Sequence, residues 1–482
     1  MPEEALVNTD APPDRLRLVG RVREIQAKLH KWATVDPDRQ FCDLFNLVAD
    51  PAFLAAAWMR VRGNRGAKTA GVDSQTAYYI EQEIGVSQFL AEIGQDLKSG
   101  KFAPLPVRQR MIPKAAGKLR RLGIPTVRDR VVQAALKLVL EPIFEADFRP
   151  CSYGFRPKRR AQDAIAEIHL FTQPPRNYLW VLEADIEACF DNIDHAALMD
   201  RVRRRVGDKK VLALVKAFLK SGIMTDPETL TPNDTGTPQG GIISPLLANI
   251  ALSVLDEHFQ RRWAALGSDS QRSRARRRDV AVCRLVRYAD DFVVLVHGTR
   301  EQTRALRAEV SDVLAPLGLR LSEAKTSVVH LDEGFDFLGF RIQRFRKRGT
   351  LNKWVVYTYP SKKALASIIG KVRDSTRKNA ARSLANLLRK LNPMIRGWCT
   401  YFRHAASSAT FDYLTAFTWR RVWQWTRKRH PKTSARKLRR QFFPGWKPTD
   451  GDVQLFYAGQ TVVSRYRYRG NIPSPWAELI AA

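Results

Sequence analysis

Two apolar runs separated by a pair of aspartates constrain the fold of this chain more than any other feature. Residues 285–296 read Leu-Val-Arg-Tyr-Ala-Asp-Asp-Phe-Val-Val-Leu-Val. Val and Phe favour strands and Ala-Asp-Asp suits a tight turn, so the pattern predicts a β-hairpin with Asp290 and Asp291 at its tip. Neighbouring strand residues point to opposite faces, which gives the two aspartates different roles. Their mutual repulsion favours a bound Mg²⁺; an exposed acidic turn is the alternative.

A further carboxylate lies in a matching context. Residues 178–186 have the pattern of a buried strand, with Asp185 near its end, and Asp194 is placed to cap the following helix. A strand-end aspartate beside a hairpin-tip aspartate is the arrangement that a two-metal phosphoryl-transfer site requires, because one ion activates an attacking hydroxyl and the other stabilises the leaving oxygen. Taken alone, Asp185 could equally be a residue that ends a strand and has no catalytic role.

Seven sequence blocks in this order resemble the bacterial group II intron reverse transcriptases, also called maturases. They include Gly-Thr-Pro-Gln-Gly-Gly-Ile-Ile-Ser-Pro from Gly236 and the Tyr-Ala-Asp-Asp of Tyr288–Asp291. The blocks are residues 108–125, 128–157, 184–195, 236–250, 288–291, 317–325 and 335–340. The resemblance implies an α+β right-hand polymerase with fingers, an antiparallel-sheet palm and an α-helical thumb or maturase domain.

The resemblance also implies domain boundaries along the chain. We expect an N-terminal extension with a basic helix and a Gly-rich loop, then fingers, palm, basic linker, thumb and a short basic-aromatic tail resembling a DNA-binding segment. The corresponding ranges are 1–82, 83–170, 171–345, 346–360, 361–445 and 446–482.

For the active site, the resemblance implies an RNA-directed DNA polymerase. Two Mg²⁺ ions would lie between Asp185, Asp290 and a deoxynucleoside triphosphate, with the Ile186 carbonyl as an extra ligand and Asp291 in a lesser role. Phe190 would exclude a 2′-hydroxyl, although an ordinary core Phe is the alternative, and Leu338-Gly339 would grip the primer. The other residues expected to bind the nucleotide are Lys114, Arg120, Pro238, Gln239 and Lys325. Lys325 would be the acid for the departing pyrophosphate, or merely a strand-edge lysine.

Charge supports a nucleic-acid partner. The chain has 81 Lys and Arg against 48 Asp and Glu, a net charge of +33, which favours a polyanion. We expect a basic thumb face to bind RNA, with a solvated face as the alternative; its residues are Arg420, Arg421, Arg427, Lys428, Arg429, Lys432, Arg436, Lys437, Arg439 and Arg440. No apolar run suits a transmembrane helix, no signal peptide is evident, and five scattered cysteines favour the cytoplasm, with nucleoid association during work on DNA.

Local patterns predict several elements. Arg108 to Ile124 should form two fingers strands, Thr126 should cap a helix reaching Phe148, and Ser244 should cap a helix with Pro245 in first position. Residues 39–61 suit a helix, and the Arg/Ser-rich stretch 267–280 suits a basic loop. Thumb helices are expected at 361–376, 381–404, 410–428 and 433–442. In the tail, interleaved basic and aromatic residues suit either single-strand contact or packing on the thumb.

The segment Leu391–Phe402 (Leu-Asn-Pro-Met-Ile-Arg-Gly-Trp-Cys-Thr-Tyr-Phe) resembles the maturase-specific domain. Its aromatic residues Trp398, Tyr401 and Phe402 are expected in the core. The implied partners are group II intron RNA, a primer–template duplex and target DNA, with a homodimer left open and no membrane. We expect no His-Asn-His endonuclease, so a primer would come from elsewhere, such as a replication fork. The alternatives are a domesticated reverse transcriptase in DNA repair or phage and CRISPR defence, and a splicing-only maturase.

Overall fold

The N-terminal part of the protein is mainly helical. The computed structural model describes residues 13–113, 119–226, 229–231, 233–347, 349–350, 353–377 and 383–477. Its first seven helices are α1 Pro13–Val35, α2 Phe45–Val48, α3 Pro51–Gly63, α4 Ala77–Tyr79, α5 Val86–Ser99, α6 Val127–Asp147 and α7 Ala161–Thr172. The long, largely buried α6 packs against α1 and α3. Thr126 caps α6 through the Asp129 amide, as the sequence predicts.

The fingers hairpin forms where it is expected. Strands β1 (Val107–Pro113) and β2 (Leu119–Ile124) pair antiparallel. Two short strands, β4 (Ile223–Asp226) and β5 (Thr229–Thr231), extend this sheet in the order β2-β1-β4-β5. The predicted nucleotide ligand Lys114 lies outside the described residues.

The palm sheet carries the acidic hairpin. Its strands are β3 (Trp180–Ala184), β6 (Val282–Tyr288), β7 (Asp291–His297) and β8 (Ser327–His330), in the order β6-β7-β3-β8 with antiparallel neighbours. The predicted hairpin is therefore confirmed. Alternate side chains of these strands enter different cores, so that Leu182 and Val294 pack on one face and Val181 and Val293 on the other. The palm helices are α8 Cys189–Asn192, α9 His195–Arg203, α10 Lys209–Leu219, α11 Ser244–Ala265, α12 Asp269–Arg277 and α13 Arg300–Leu314.

A three-stranded sheet leads from the palm into the C-terminal helices. It consists of β9 (Phe335–Phe337), β10 (Phe340–Arg346) and β11 (Trp354–Pro360), in the order β11-β10-β9. The helices that follow lie close to their predicted ranges: α14 Lys362–Arg377, α15 Leu384–Phe402, α16 Ser408–Arg429 and α17 Ala435–Phe442. A small hairpin of β12 (Thr449–Asp450) and β13 (Val453–Gln454) follows. Phe402 is buried, and the rings of Trp398 and Tyr401 pack against it, as expected for core residues.

Two predicted segments differ from the structure. The stretch 39–61 is not one helix, because α2 ends at Val48 and Asp50 caps a new helix, α3, by accepting a hydrogen bond from the Ala52 amide. The expected basic loop at 267–280 contains α12 instead. The Gln271 amide donates to the Ser268 hydroxyl at 3.3 Å, and the Ser268 amide donates to the Gln271 side chain at 2.6 Å. This reciprocal cap, which the loop prediction did not consider, stabilises the start of the helix.

Ser244 does not cap its helix. It is the first residue of α11, and its hydroxyl donates to the Pro238 carbonyl at 2.9 Å. Parts of the tail pack against the rest of the protein: Trp476 is buried beside His30 of α1, and the Tyr466 hydroxyl donates to Asp163 of α7, whereas Trp446 stays exposed. Other tail residues contact the thumb, where the Tyr466 ring lies 5.0 Å from that of His404. Packing on the thumb is therefore confirmed in part, and the tail also contacts the N-terminal half of the chain.

Among the described residues, no helix combines the length and the apolar character needed to cross a membrane.

Candidate active site

The predicted carboxylates converge at one end of the palm sheet. Strand β3 ends in register with β7, with Ala184 opposite Phe292, and Asp185 follows directly at the level of Asp291. Asp290 occupies the turn between Tyr288 and Asp291, which are themselves paired across the hairpin. The structure thus brings Asp185 together with Asp290 and Asp291, which follow it by about a hundred residues in the sequence.

The charges of this cluster act on one another. Asp291 is exposed at the surface, yet the protein atoms around it, followed by the charges of Asp290 and Asp185, raise its pKa from the ordinary value to about 6. The Lys325 ammonium lies 2.6 Å from Oδ2 of Asp185. It occupies a 3₁₀ turn at Glu323–Lys325, just before β8. A cation is therefore already in contact with one of the carboxylates, as expected for a site with excess negative charge.

Asp185 is held through its backbone. The Ser322 amide donates to the Asp185 carbonyl at 2.8 Å, and the Glu187 amide donates to the Arg320 carbonyl at 2.9 Å. These two hydrogen bonds form an isolated antiparallel bridge in which Ile186 lies opposite Leu321, but they involve the backbone of Asp185 and Glu187 and not that of Ile186. The Ile186 carbonyl, the predicted extra metal ligand, is thus not consumed by the bridge.

The donor set suits a divalent ion that shares its ligands with a substrate. Carboxylate oxygens are the ligands of hard cations, and Mg²⁺ is commonly held by one or two carboxylates together with substrate phosphates. Within the described ranges, no group of three or more His, Cys, Asp or Glu side chains is arranged to hold a metal ion. Asp185 and Asp290 would accordingly hold such an ion, with the remaining ligands supplied by a nucleotide.

A buried ion pair supports the acidic turn between β6 and β7, and the sequence interpretation missed it. Arg287 of β6 and Asp256 of α11 are both fully buried and joined at 2.5 and 2.8 Å. Arg287 also donates to the Asn249 side chain at 2.9 Å and to the Ala289 carbonyl at 3.0 Å. The last bond fixes the residue before Asp290. The available signal was an arginine within an apolar strand, which requires a buried partner.

The expected nucleotide pocket joins the fingers to the palm. Arg120 Nε of β2 donates to the Gln239 side chain at 2.5 Å, and the Gly123 amide donates to the Gln239 carbonyl at 2.8 Å. The Thr237 amide donates to the Phe190 carbonyl at 2.6 Å. Phe190 is 7% exposed and belongs to the hydrophobic core. The structure therefore brings Arg120, Gln239 and Phe190 into one connected region.

The expected primer grip is a two-residue turn. Leu338 and Gly339 connect β9 to β10, with φ of +50° and +80°. Positive φ at both central residues is the signature of the type I′ hairpin turn.

Most of the predicted RNA-binding residues lie on an exposed surface. They belong to α16, α17 and the segment between them, and all except Arg421 are exposed. Arg421 instead donates to the Thr376 hydroxyl from Nε at 3.0 Å. The guanidinium of Arg439 lies over the Trp446 ring, 5.0 Å from its centroid.

Two protein families match this chain. Residues 112–342 match the reverse transcriptase (RNA-dependent DNA polymerase) family. Residues 365–443 match the maturase-specific domain of group II introns. The first range contains the three aspartates, and the second contains helices α15 and α16.

Individual relatives agree with these matches. The chain is 38% identical over 381 residues to protein YkfC of Escherichia coli (strain K12), covering 73% of this chain and 98% of YkfC. It is 31% identical over 375 residues to the group II intron-encoded protein LtrA of Lactococcus lactis subsp. cremoris, covering 68% of this chain and 61% of LtrA. It is also 25% identical over 309 residues to the mitochondrial nuclear intron maturase 1 of Arabidopsis thaliana, covering 47% and 42% of the two chains.

Proposed function

Because this chain belongs to the group II intron-encoded reverse transcriptases and maturases, we propose that it extends a primer with deoxynucleotides on an RNA template and also assists its intron RNA. Its polymerase domain is that of an RNA-directed DNA polymerase, a family that uses divalent metal ions. The observation that carries the proposal is the convergence of Asp185, Asp290 and Asp291 at one end of the palm sheet.

In the proposed reaction, a primer 3′-hydroxyl attacks the α-phosphate of a deoxynucleoside triphosphate, and pyrophosphate leaves. Two bound Mg²⁺ ions would neutralise the negative charge on the attacking oxygen of the primer and on the leaving oxygen of the pyrophosphate. Asp185 and Asp290 would hold the ions, with the Ile186 carbonyl as a further ligand, and Asp291 would orient the pair. The Lys325 ammonium, now 2.6 Å from Asp185, would donate its proton to the departing pyrophosphate.

The pocket between fingers and palm would position the nucleotide. The Arg120 guanidinium suits a triphosphate because it offers several donors in a fixed plane. Gln239 and Pro238 would contact the incoming nucleotide, and Lys114 would add charge from the fingers. The Phe190 ring would leave no room for a 2′-hydroxyl, so that deoxynucleotides are preferred.

Assistance to the intron is a binding function. The maturase-specific match and the exposed basic residues of α16 and α17 support contact with intron RNA through its phosphates. In this role the protein stabilises the folded RNA, and the RNA carries out splicing. Target DNA would be the further partner during intron mobility. The maturase domain favours this role over a polymerase that serves only DNA repair or defence.

The test pairs the two activities in one variant. We expect Asp290→Ala to abolish Mg²⁺-dependent primer extension on an RNA template, because a metal ligand is lost, and to retain splicing assistance with the cognate intron RNA. Asp452→Ala is the matched control, since this carboxylate is 91% exposed on the small C-terminal hairpin.

Either of two results would contradict the proposal. Full extension by Asp290→Ala would remove this residue from catalysis. A wild type that extends no primer yet assists splicing would identify a maturase that has kept polymerase motifs without using them.

A further inference from the structure

The turn expected to grip the primer contains a residue in an unfavourable conformation. Leu338 has a backbone φ of +50°, which lies in the left-handed region that residues other than Gly, Asn and Asp rarely adopt. The type I′ turn that it forms with Gly339 is typically built from Asn-Gly or Asp-Gly. Leucine has no local hydrogen bond to offset this conformation, so contacts from elsewhere in the molecule must hold the turn.

The C-terminal region supplies those contacts. The Tyr401 hydroxyl of α15 donates to the Leu338 carbonyl at 2.9 Å. The Ser361 amide, directly before α14, donates to the Gly339 carbonyl at 2.9 Å. Both carbonyls of the turn are therefore bound by residues that lie beyond the palm in sequence.

Tyr401 is itself firmly placed. Its ring stacks on Phe340, with centroids 5.4 Å apart and planes inclined by 29°, and packs edge-on against Phe402 at 4.8 Å. Phe340 is the first residue of β10, directly after the turn. Burial, with a smaller effect of Tyr288, raises the pKa of Tyr401 to about 12. The hydroxyl therefore remains a donor at neutral pH, and Tyr288 of the catalytic hairpin lies near it.

We propose that Tyr401 is a positioning residue for DNA synthesis, whose hydroxyl fixes the strained Leu338-Gly339 turn relative to the catalytic aspartates. The inference rests on the proposed function of this turn in holding the primer. It assigns to a residue of the maturase motif a part in polymerisation: α15 sets where the primer end lies, and Asp290 sets where the metal lies. Loss of the hydroxyl would misplace the 3′-hydroxyl without altering the nucleotide pocket.

The matched pair of variants is Tyr401→Phe and Tyr457→Phe. Tyr457 makes the same kind of bond in the same region, donating to the Trp446 carbonyl at 2.9 Å, but away from the turn. We expect Tyr401→Phe to lower the rate of single-nucleotide addition roughly threefold to tenfold, the value of one hydrogen bond. The deoxynucleotide concentration for half-maximal rate should not change. Tyr457→Phe should match the wild type, and thermal unfolding should show that both variants are folded.

A double-mutant cycle tests whether the Tyr401 hydroxyl acts through the strained backbone of Leu338. Leu338→Asn creates the favoured Asn-Gly turn, which needs less external support. Tyr401→Phe should therefore reduce the rate by a smaller factor on the Leu338→Asn background than on the wild-type background. Equal factors on both backgrounds would overturn the inference, because the hydroxyl would then act elsewhere.

The remaining outcomes separate this inference from the function on which it rests. An active wild type whose Tyr401→Phe variant behaves like Tyr457→Phe would contradict the inference alone. A wild type that extends no primer on any template would contradict the proposed polymerase function and the inference with it.

Discussion

At the scale of single residues, the chemistry of the candidate site depends on pairs of charges. Asp291 shares its surroundings with Asp290 and Asp185, and its pKa is raised. Arg287 and Asp256 are fully buried but satisfy each other, and Arg287 extends this support to the Ala289 carbonyl. The buried Arg287–Asp256 pair thus lies next to the aspartate cluster and holds the turn that carries Asp290.

The raised pKa of Asp291 predicts a pH-dependent response to metal. Between the ordinary Asp range and about 6, the folded protein keeps a proton that the unfolded chain releases, so this group lowers stability as the pH rises through that interval. A cation that binds the deprotonated form opposes the effect. We expect millimolar Mg²⁺ to raise the unfolding midpoint more at about pH 8 than at roughly pH 5.

Asp291→Asn tests this assignment. The variant should show a smaller difference between the two pH values, because one titrating carboxylate is gone while Asp129 and Asp147, whose pKa values are also raised to about 6, remain. The same difference in wild type and variant would show that Asp291 does not titrate with metal binding.

At the scale of elements, periodic patterns gave reliable predictions and irregular segments did not. The acidic hairpin and the four C-terminal helices form where the apolar runs and the helical spacing place them. The predictions for the stretch around Asp50-Pro51 and for the segment that forms α12 were wrong, because capping hydrogen bonds set where these helices begin. The turn that joins fingers and palm is a third irregular segment, and its geometry depends on Gly240.

Gly240 permits the close contact between β2 and the expected nucleotide pocket. It has φ of +126°, and a Cβ there would lie 2.3 Å from the Gly123 carbonyl oxygen. Gly240→Ala should separate the two elements and raise the deoxynucleotide concentration for half-maximal extension about tenfold, since such strain costs ~1–3 kcal/mol. Steady-state primer extension measures this.

Gly370→Ala is the control for this substitution. No atom outside its own helix lies within 4 Å of a Cβ at Gly370 in α14, so the variant should keep the wild-type kinetics and gain up to ~1 kcal/mol in stability. Unchanged nucleotide dependence in Gly240→Ala would remove this turn from the proposed pocket.

At the scale of the whole molecule, the excess positive charge has a location. Exposed basic residues cover α17, where Arg436, Lys437 and Arg440 line one groove of about 550 Å³, whereas the acidic cluster lies at the palm sheet. The proposed polymerisation site and the proposed RNA-binding surface therefore lie in the ranges that match two separate families.

Salt dependence should locate the RNA-binding surface. Replacing Arg436, Lys437 and Arg440 by Gln should weaken binding of the intron RNA and make the slope of log affinity against log salt shallower by up to about 2–3, because each of the three phosphate contacts contributes roughly 0.7–0.9. Replacing the exposed Lys209 and Lys216 of α10 and Lys220, which follows its last residue, removes equal charge from another surface and should change the slope less. Equal changes would indicate an attraction set by net charge alone.

The sequence by itself determined the features that depend on neighbouring residues: the hairpin with its aspartates, the helical C-terminal region, the net charge and the family. The tertiary structure decided which distant side chains meet. Arg287 and Asp256 are 31 residues apart, Tyr401 and Leu338 are 63, and Arg120 and Gln239 are 119. Local patterns fix which face of an element is apolar, but polar contacts between elements depend on how the packed faces orient a few side chains, and only the folded chain sets that geometry.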